Sequence, residues 1–177
     1  MNTRLFLAAT VSAVVCVTGC ASGKIHEKSY LMAAAVTEKD ETALTMCLFS
    51  EDSAVTASGK DMDGAVRAAE LKNGKPVFTG YTELIIVDGN DSLRLLGHML
   101  NNWKVSPSCM VVKCSDGRSL LEENDPRQLI GRAEQAVRQG KASQCDIVTV
   151  LGELCCNSAA ETAELRNDGS VGRCVIY

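Results

Sequence analysis

Apolar and polar residues alternate along the chain in blocks short enough to be single strands and helices. Near the start, the apolar segments 31–37 and 42–50 flank the polar residues 38–41, a pattern typical of a β-hairpin. Residues 51–60 are mostly polar and are predicted to form a loop. A second hairpin is predicted near the end of the chain, where residues 167–169 (Asn-Asp-Gly) supply a turn.

Two continuous apolar segments in the middle of the chain predict buried strands. Residues 84–87 (LIIV) are closed by Asp88 and Gly89, and residues 109–115 (CMVVKCS) follow Pro107. Their β-branched residues and their turn residues favour short strands over helices.

Four helices are predicted by apolar residues that recur at helical spacing. Each begins behind a residue that can cap a helix N-terminus, namely Asp61, Asp91 or Ser92, Asp125 and Asp146. A shorter helical turn is expected at 119–123. The faces expected to be buried are Met62, Ala65, Val66 and Ala69; Leu93, Leu96, Met99, Leu100 and Trp103; Leu129, Ile130, Ala133, Ala136 and Val137; and Ile147, Val148, Leu151, Leu154 and Cys155.

Helices interleaved with apolar strands predict an α/β (α+β) domain in which helices pack on a sheet. Because hairpins are expected at both ends, the sheet should be mixed rather than wholly parallel. A chain of 177 residues with 46% hydrophobic content can bury one sizeable core. We therefore predict a single domain over residues 30–177, with a mixed β-sheet flanked by about four helices.

The first nineteen residues have the pattern of a signal peptide. Arg4 gives a positive start, and an apolar run of thirteen residues, 5–17, is too short to span a bilayer as a stable helix. The run ends in Val17-Thr18-Gly19-Cys20, which resembles a bacterial lipobox. We predict cleavage after residue 19 and lipidation of Cys20. An ordinary signal peptide with a coincidental cysteine is the alternative.

Residues 20–29 are predicted to be a polar tether between the lipid and the domain. One acyl chain binds a membrane only marginally and reversibly, whereas two or more anchor a protein durably. Bacterial lipoproteins carry a diacylglyceryl group on the cysteine. Lipidation of Cys20 would therefore hold the domain at the outer face of the cytoplasmic membrane.

Seven cysteines remain after Cys16 and Cys20 are assigned to the leader and the lipid. An odd number cannot pair completely, and the sequence does not give the connectivity. We expect most of them to be small buried side chains, with one or two disulfides as the alternative. There is no Cys-x-x-Cys, and His26 and His98 are not near a cysteine pair, so a zinc site has little support.

No catalytic, cofactor-binding or metal-binding motif stands out in the sequence. Asp61 and Asp63 lie at a helix start, where carboxylates favour the helix dipole. His98 is predicted to face solvent without a partner acid. The net charge of −4 and the scattered aromatic residues argue against a nucleic-acid partner. We expect a non-enzymatic protein; an extracytoplasmic thiol enzyme would need a cysteine activated by a neighbour.

Four segments carry a resemblance to the Ger(x)C-type spore germination lipoproteins, the C subunits of germinant receptors. Residues 59–65 (GKDMDGA) are similar to that family's helix start, and residues 77–87 (VFTGYTELIIV) to the strand that follows. Residues 109–121 resemble its next strand and small-residue turn, and residues 172–177 the strand that ends its first domain. The resemblance is to the N-terminal domain only.

The resemblance implies a lipid-tethered subunit that associates with integral-membrane subunits of a nutrient-responsive receptor. In a spore former this would place the protein at the spore inner membrane. It implies no enzymatic activity and no cofactor. The alternative is a stand-alone extracytoplasmic surface lipoprotein that binds a ligand or a component of the cell envelope.

Overall fold

The computed structural model describes residues 27–49, 51 and 53–177, and these form eight strands and five helices. A π-helical turn, Met99–Trp103, continues the second helix. The strands are β1 (Ser29–Glu38), β2 (Thr42–Leu48), β3 (Val55–Gly59), β4 (Val77–Phe78), β5 (Leu84–Val87), β6 (Met110–Lys113), β7 (Ala160–Leu165) and β8 (Val171–Ile176). The helices are α1 (Met62–Asn73), α2 (Ser92–His98), α3 (Gly117–Glu123), α4 (Pro126–Arg138) and α5 (Ile147–Asn157).

The strands form one mixed sheet in the order β3-β2-β1-β5-β6-β7-β8, with the short β4 paired to the start of β1. Strands β1, β5, β6 and β7 are parallel to one another. Antiparallel hairpins complete the sheet on both sides, β1 with β2 and β7 with β8. The predicted mixed α/β fold is therefore confirmed.

Helices cover both faces of the sheet, so the domain has three layers. Helices α1, α2 and α5 pack on one face around residues such as Ile85 and Val111. Helices α3 and α4 pack on the other face around Ile86 and Val112. Because neighbouring residues of a strand point to opposite faces, a continuous apolar strand such as β5 can serve both cores at once.

Helix α3 comes very close to the central strand β1 at Ala35. A Cβ atom placed on Gly117, the first residue of α3, would lie 2.9 Å from the Cβ of Ala35 and 2.9 Å from Cγ2 of Ile86. Alanine is a poor strand former, but at Ala35 its small side chain permits the close approach of helix α3. Elsewhere in the same strand, a β-bulge between Leu31 and Ala33 shifts the register with β2.

Three of the predicted helix caps are confirmed. The carboxylates of Asp61, Asp125 and Asp146 accept hydrogen bonds from backbone N–H groups in the first turns of α1, α4 and α5, at 2.7, 2.9 and 2.9 Å. Asp91 differs: its backbone is left-handed, with φ of 45°, and its side chain makes no capping bond.

Two strand predictions need correction. Residues 51–60 are not a loop throughout, because Val55–Gly59 is the edge strand β3, paired with β2. Only Ala57 of this strand is buried, so the sequence lacks the usual apolar alternation. Residues 77–87 form two strands rather than one, since a turn at residues 79–83 separates β4 from β5.

Some residues predicted to lie on buried helix faces are exposed. Leu93, Val148 and Cys155 are accessible to solvent. Helix α5 buries Ile147 and Leu154 as predicted, together with Val150, which was not predicted. This helix has apolar residues around more than half of its circumference, and periodicity alone does not decide which part of that surface meets the sheet.

The predicted signal peptide (1–19), the lipidation site at Cys20 and most of the predicted tether (20–29) lie outside the described residues. The last residue of the predicted tether, Ser29, is buried and belongs to β1. Among the residues that are described, no helix has the length and apolar character needed to cross a membrane.

Candidate functional site: an aromatic edge at the start of the first strand

Aromatic side chains gather at the edge of the domain where β1 begins. The rings of Tyr30, Phe78 and Tyr81 contact one another, with centroids 5.5 to 5.6 Å apart and tilted or edge-on geometry. The backbone of Phe49 is adjacent to that of Tyr30, since its N–H donates to the carbonyl of Tyr30 at 3.0 Å. The amino group of Lys28 lies 5.9 Å from the centre of the Phe78 ring. We call Tyr30, Phe49, Phe78 and Tyr81 the aromatic edge.

The fold brings these rings together through short pairings at the amino end of β1. Strand β4 pairs with β1 so that Phe78 lies opposite Tyr30. The backbone N–H of Ser29 donates to the carbonyl of Pro76 at 2.9 Å. The side-chain amide of Asn73, at the end of α1, donates to the hydroxyl of Ser29 at 2.8 Å. The chain is therefore fixed to the sheet from its first described strand residue.

The turn between β4 and β5 holds Tyr81 in place. A Cβ atom on Gly80 would lie only 2.8 Å from Cζ of Phe78, so a larger residue would displace that ring. The hydroxyl of Thr79 donates to the carbonyl of Trp103 at 2.9 Å, and the buried hydroxyl of Thr82 donates to the carbonyl of Thr79. These bonds tie the turn that carries Tyr81 to the end of the π-helical turn.

Much of this edge is exposed apolar surface. Phe49 and Phe78 are each 39% exposed and Tyr81 is 62% exposed. Leu71, which is 85% exposed, lines a shallow cleft of about 460 Å³ with Lys75 and Pro76, next to β4. The prediction that the aromatic residues are scattered is therefore wrong: four of the six that follow the leader lie at this edge. The sequence indicated this cluster only in part, because Phe78 and Tyr81 stand close together on either side of Gly80.

His98 does not stand alone as predicted. Its Nε2 lies 3.1 Å from a carboxylate oxygen of Asp63, and its side chain is only 25% exposed. The pair joins the start of α1 to the end of α2. The spacing of apolar residues within α2 alone predicted that His98 faces solvent. Its partner Asp63 lies on α1, and the two residues meet because both helices pack on the same face of the sheet. No serine, threonine or cysteine among the described residues lines the small cleft beside this pair.

The cysteines are present as free thiols in the described part of the chain. Cys109 and Cys114 point into cores on opposite faces of the sheet. Burial raises the pKa of Cys109 to about 12, and it raises the pKa values of Cys47 and Cys145 to about 11. Since the thiolate is the nucleophile, these side chains are unreactive near neutral pH.

We expect alkylation to separate the thiols by exposure. In the native protein a maleimide reagent at pH 7 should modify Cys155 and Cys156 first, because both are exposed at the end of α5. Cys47, Cys109 and Cys145 should react only after unfolding in guanidinium. Peptide mass mapping of labelled protein measures this order. Fast native labelling of one of the three buried thiols would contradict it and would revive the thiol-enzyme interpretation.

A polar cleft of about 520 Å³ opens beside Tyr81. It lies at the amino ends of β5 and β6, and the carboxylates of Glu83 and Glu134 and the hydroxyls of Ser106 and Ser108 line it. Such a lining can offer hydrogen-bond acceptors to a small polar or cationic molecule. Within the described ranges, no group of three or more His, Cys, Asp or Glu side chains is arranged to hold a metal ion.

Comparisons with known proteins found nothing similar to this chain: no family model matches it, and no curated protein or solved structure gives a significant match.

Proposed function

We propose that this chain is a lipid-anchored extracytoplasmic protein of spore germination that acts as a non-enzymatic subunit of germinant-receptor type. The observation that carries the proposal is the sequence Val17-Thr18-Gly19-Cys20 behind Arg4 and an apolar run of signal-peptide length. Lipid on Cys20 would hold the folded domain at the outer face of the cytoplasmic membrane. There its exposed surfaces would meet integral-membrane subunits.

The short spacing between Cys20 and the domain limits how far from the membrane the proposed lipid would hold it. Ser29 follows Cys20 by nine peptide steps. A fully extended chain of that length spans about 30 Å at most. A lipid on Cys20 therefore keeps the start of β1, and with it the aromatic edge, within that distance of the bilayer. Confinement of this kind raises the effective concentration of the domain near a membrane partner without any new contact.

The state of the nucleophilic side chains favours a binding role over catalysis. Burial raises the pKa of three thiols far above neutrality, and burial likewise raises the pKa values of Cys114 and Cys174. His98 is paired with Asp63, and no hydroxyl or thiol among the described residues lines their cleft. Together with the resemblance to the germination lipoproteins, this supports a subunit that works by docking.

Isolation of the protein from its own membranes tests the receptor role. After solubilisation in a mild detergent, a tagged protein should bring down an integral-membrane protein with several spanning helices. The Cys20→Ala variant, produced at the same level, should lose most of that partner because it is no longer confined to the membrane surface. Recovery of the lipidated protein without any integral-membrane partner would contradict the receptor role.

The second candidate is a stand-alone surface lipoprotein that binds a small molecule, and the cleft beside Tyr81 is the observation that favours it. The same isolation experiment separates the two functions. A lipidated protein that comes down alone, from an organism that does not form spores, favours the stand-alone role.

A further inference from the structure

The aromatic edge exposes apolar side chains of a kind that often marks an interaction site. Tyr30, Phe78 and Tyr81 form a packed cluster. Phe49, whose backbone is bonded to that of Tyr30, and Leu71, in the cleft next to β4, are further exposed apolar side chains. Tyrosine rings are enriched where membrane proteins cross the interface between lipid and water, because one end of the ring is apolar and the hydroxyl tolerates water. Phenylalanine and leucine supply apolar surface that can be buried at the boundary between headgroups and acyl chains.

The position of this surface identifies what covers it. The chain enters the fold at Ser29, beside the aromatic edge, and the candidate lipid attachment at Cys20 is nine peptide steps away. Hence the part of the domain that is tied most closely to the bilayer is also its most aromatic part. A tether attached at the other end of β1 would have given the aromatic edge no such proximity.

Charged side chains of both signs surround the edge, and the acidic ones are more numerous. Lys28 and Lys75 are exposed beside Phe78 and Leu71, and a lysine can place its apolar stem along such a surface while its amino group stays in water. Glu27 and Glu83 are exposed in the same area, and Phe49 lines a cleft with exposed carboxylates (Glu51, Glu122, Glu123 and Asp125). Attraction to the bilayer should therefore come from the apolar rings rather than from charge.

We propose that the aromatic edge lies in the headgroup region of the phospholipid bilayer, so that the domain rests on the membrane along the amino end of β1. This inference rests on the proposed lipid anchor, which supplies the proximity. The contact fixes the orientation of the domain. The opposite edge, which carries Leu93 and the ion pair between Arg94 and Glu38, points away from the membrane and stays accessible to other subunits.

Tryptophan reporters at the two edges test the orientation. Phe78→Trp and Leu93→Trp make a matched pair, because the native side chains are 39% and 42% exposed. Leu93 precedes Arg94, and Arg94 contacts Glu38 at the far end of β1. At the rise of an extended strand, Glu38 lies about 25 Å from Tyr30. The mature lipidated variants are reconstituted into vesicles of phosphatidylethanolamine and phosphatidylglycerol with brominated acyl chains. The unsubstituted protein supplies the background emission of Trp103, which is buried.

The emission added by Phe78→Trp should be largely quenched by the brominated lipid, and that of Leu93→Trp should be retained. Tyr81→Trp should behave as Phe78→Trp does, which guards against misfolding of one variant. Equal quenching of both edges, or retention of emission at Phe78→Trp and Tyr81→Trp, would overturn the orientation. The mass of the reconstituted protein is determined first. Lipid on Cys20 with unquenched reporters refutes only this inference, whereas a bare Cys20 refutes the proposed anchor as well.

Discussion

Gly59→Ala should destabilise the domain strongly. A Cβ atom on Gly59, the last residue of β3, would lie 2.3 Å from the backbone nitrogen of Ala65 and 2.5 Å from the carbonyl carbon of Gly64. Both atoms belong to the backbone of α1, so no side-chain rotation relieves the overlap. Overpacking of this kind costs about 1–3 kcal/mol and sometimes more. Each kcal/mol should lower the Tm of a domain of this size by about 2–4 °C.

Gly131→Ala is the matched control. Gly131 lies inside helix α4, and a Cβ atom there would meet nothing within 4 Å. Because glycine in a helix interior is about 0.8–1.0 kcal/mol less favourable than alanine, this substitution should raise the Tm slightly. Thermal unfolding followed by circular dichroism compares the two variants. An unchanged or raised Tm for Gly59→Ala would contradict the close packing of β3 on α1.

Local side-chain chemistry made the frame of the fold predictable. The caps at Asp61, Asp125 and Asp146, the buried strand at residues 84–87 and the final hairpin each depend on residues close together in sequence. Capping carboxylates and turn residues act within a few positions of where they stand, so one sequence is enough to find them.

Features that depend on packing were not predictable in the same way. Strand β3 has little apolar pattern of its own and exists through its pairing with β2. The contact between His98 and Asp63 joins two helices whose relative placement the sheet decides. Packing also decides that the side chain of Val148 faces solvent, since helix α5 has two neighbouring apolar stripes and only one of them meets the sheet.

The features proposed to act in function also divide into those that are local in sequence and those that depend on the fold. The predicted lipobox that ends at Cys20 is a continuous motif, so the sequence alone is enough to propose it. The aromatic edge is not, because Tyr30 meets Phe78 and Tyr81 only after β4 pairs with the start of β1. A discontinuous surface of this kind needs the fold before its residues can be recognised as one feature.

Cys20→Ala should release the protein from the membrane. Durable anchoring needs two or more acyl chains, and the substitution removes the sulfur to which the proposed lipid would be attached. The apolar run of thirteen residues is too short to replace them as a stable spanning helix. Contact through the aromatic edge alone would be reversible, so washing should remove what remains.

Cys16→Ala supplies the control for this substitution. Cys16 is the other cysteine of the leader, four positions before the lipobox cysteine, and its loss should leave lipidation unchanged. Both variants and the unaltered protein are produced at equal levels, and their membranes are pelleted and washed. Unfolding temperatures of the three proteins should agree, because both cysteines precede the predicted domain, which begins at residue 30.

The distribution of these three proteins between washed membranes and the soluble fraction is the most direct test of the lipid anchor. The account predicts that the unaltered protein and Cys16→Ala stay with the membranes and that most of Cys20→Ala is released. If Cys20→Ala pellets as completely as the other two after washing, the sulfur of residue 20 does not hold the protein, and the proposed anchor is wrong.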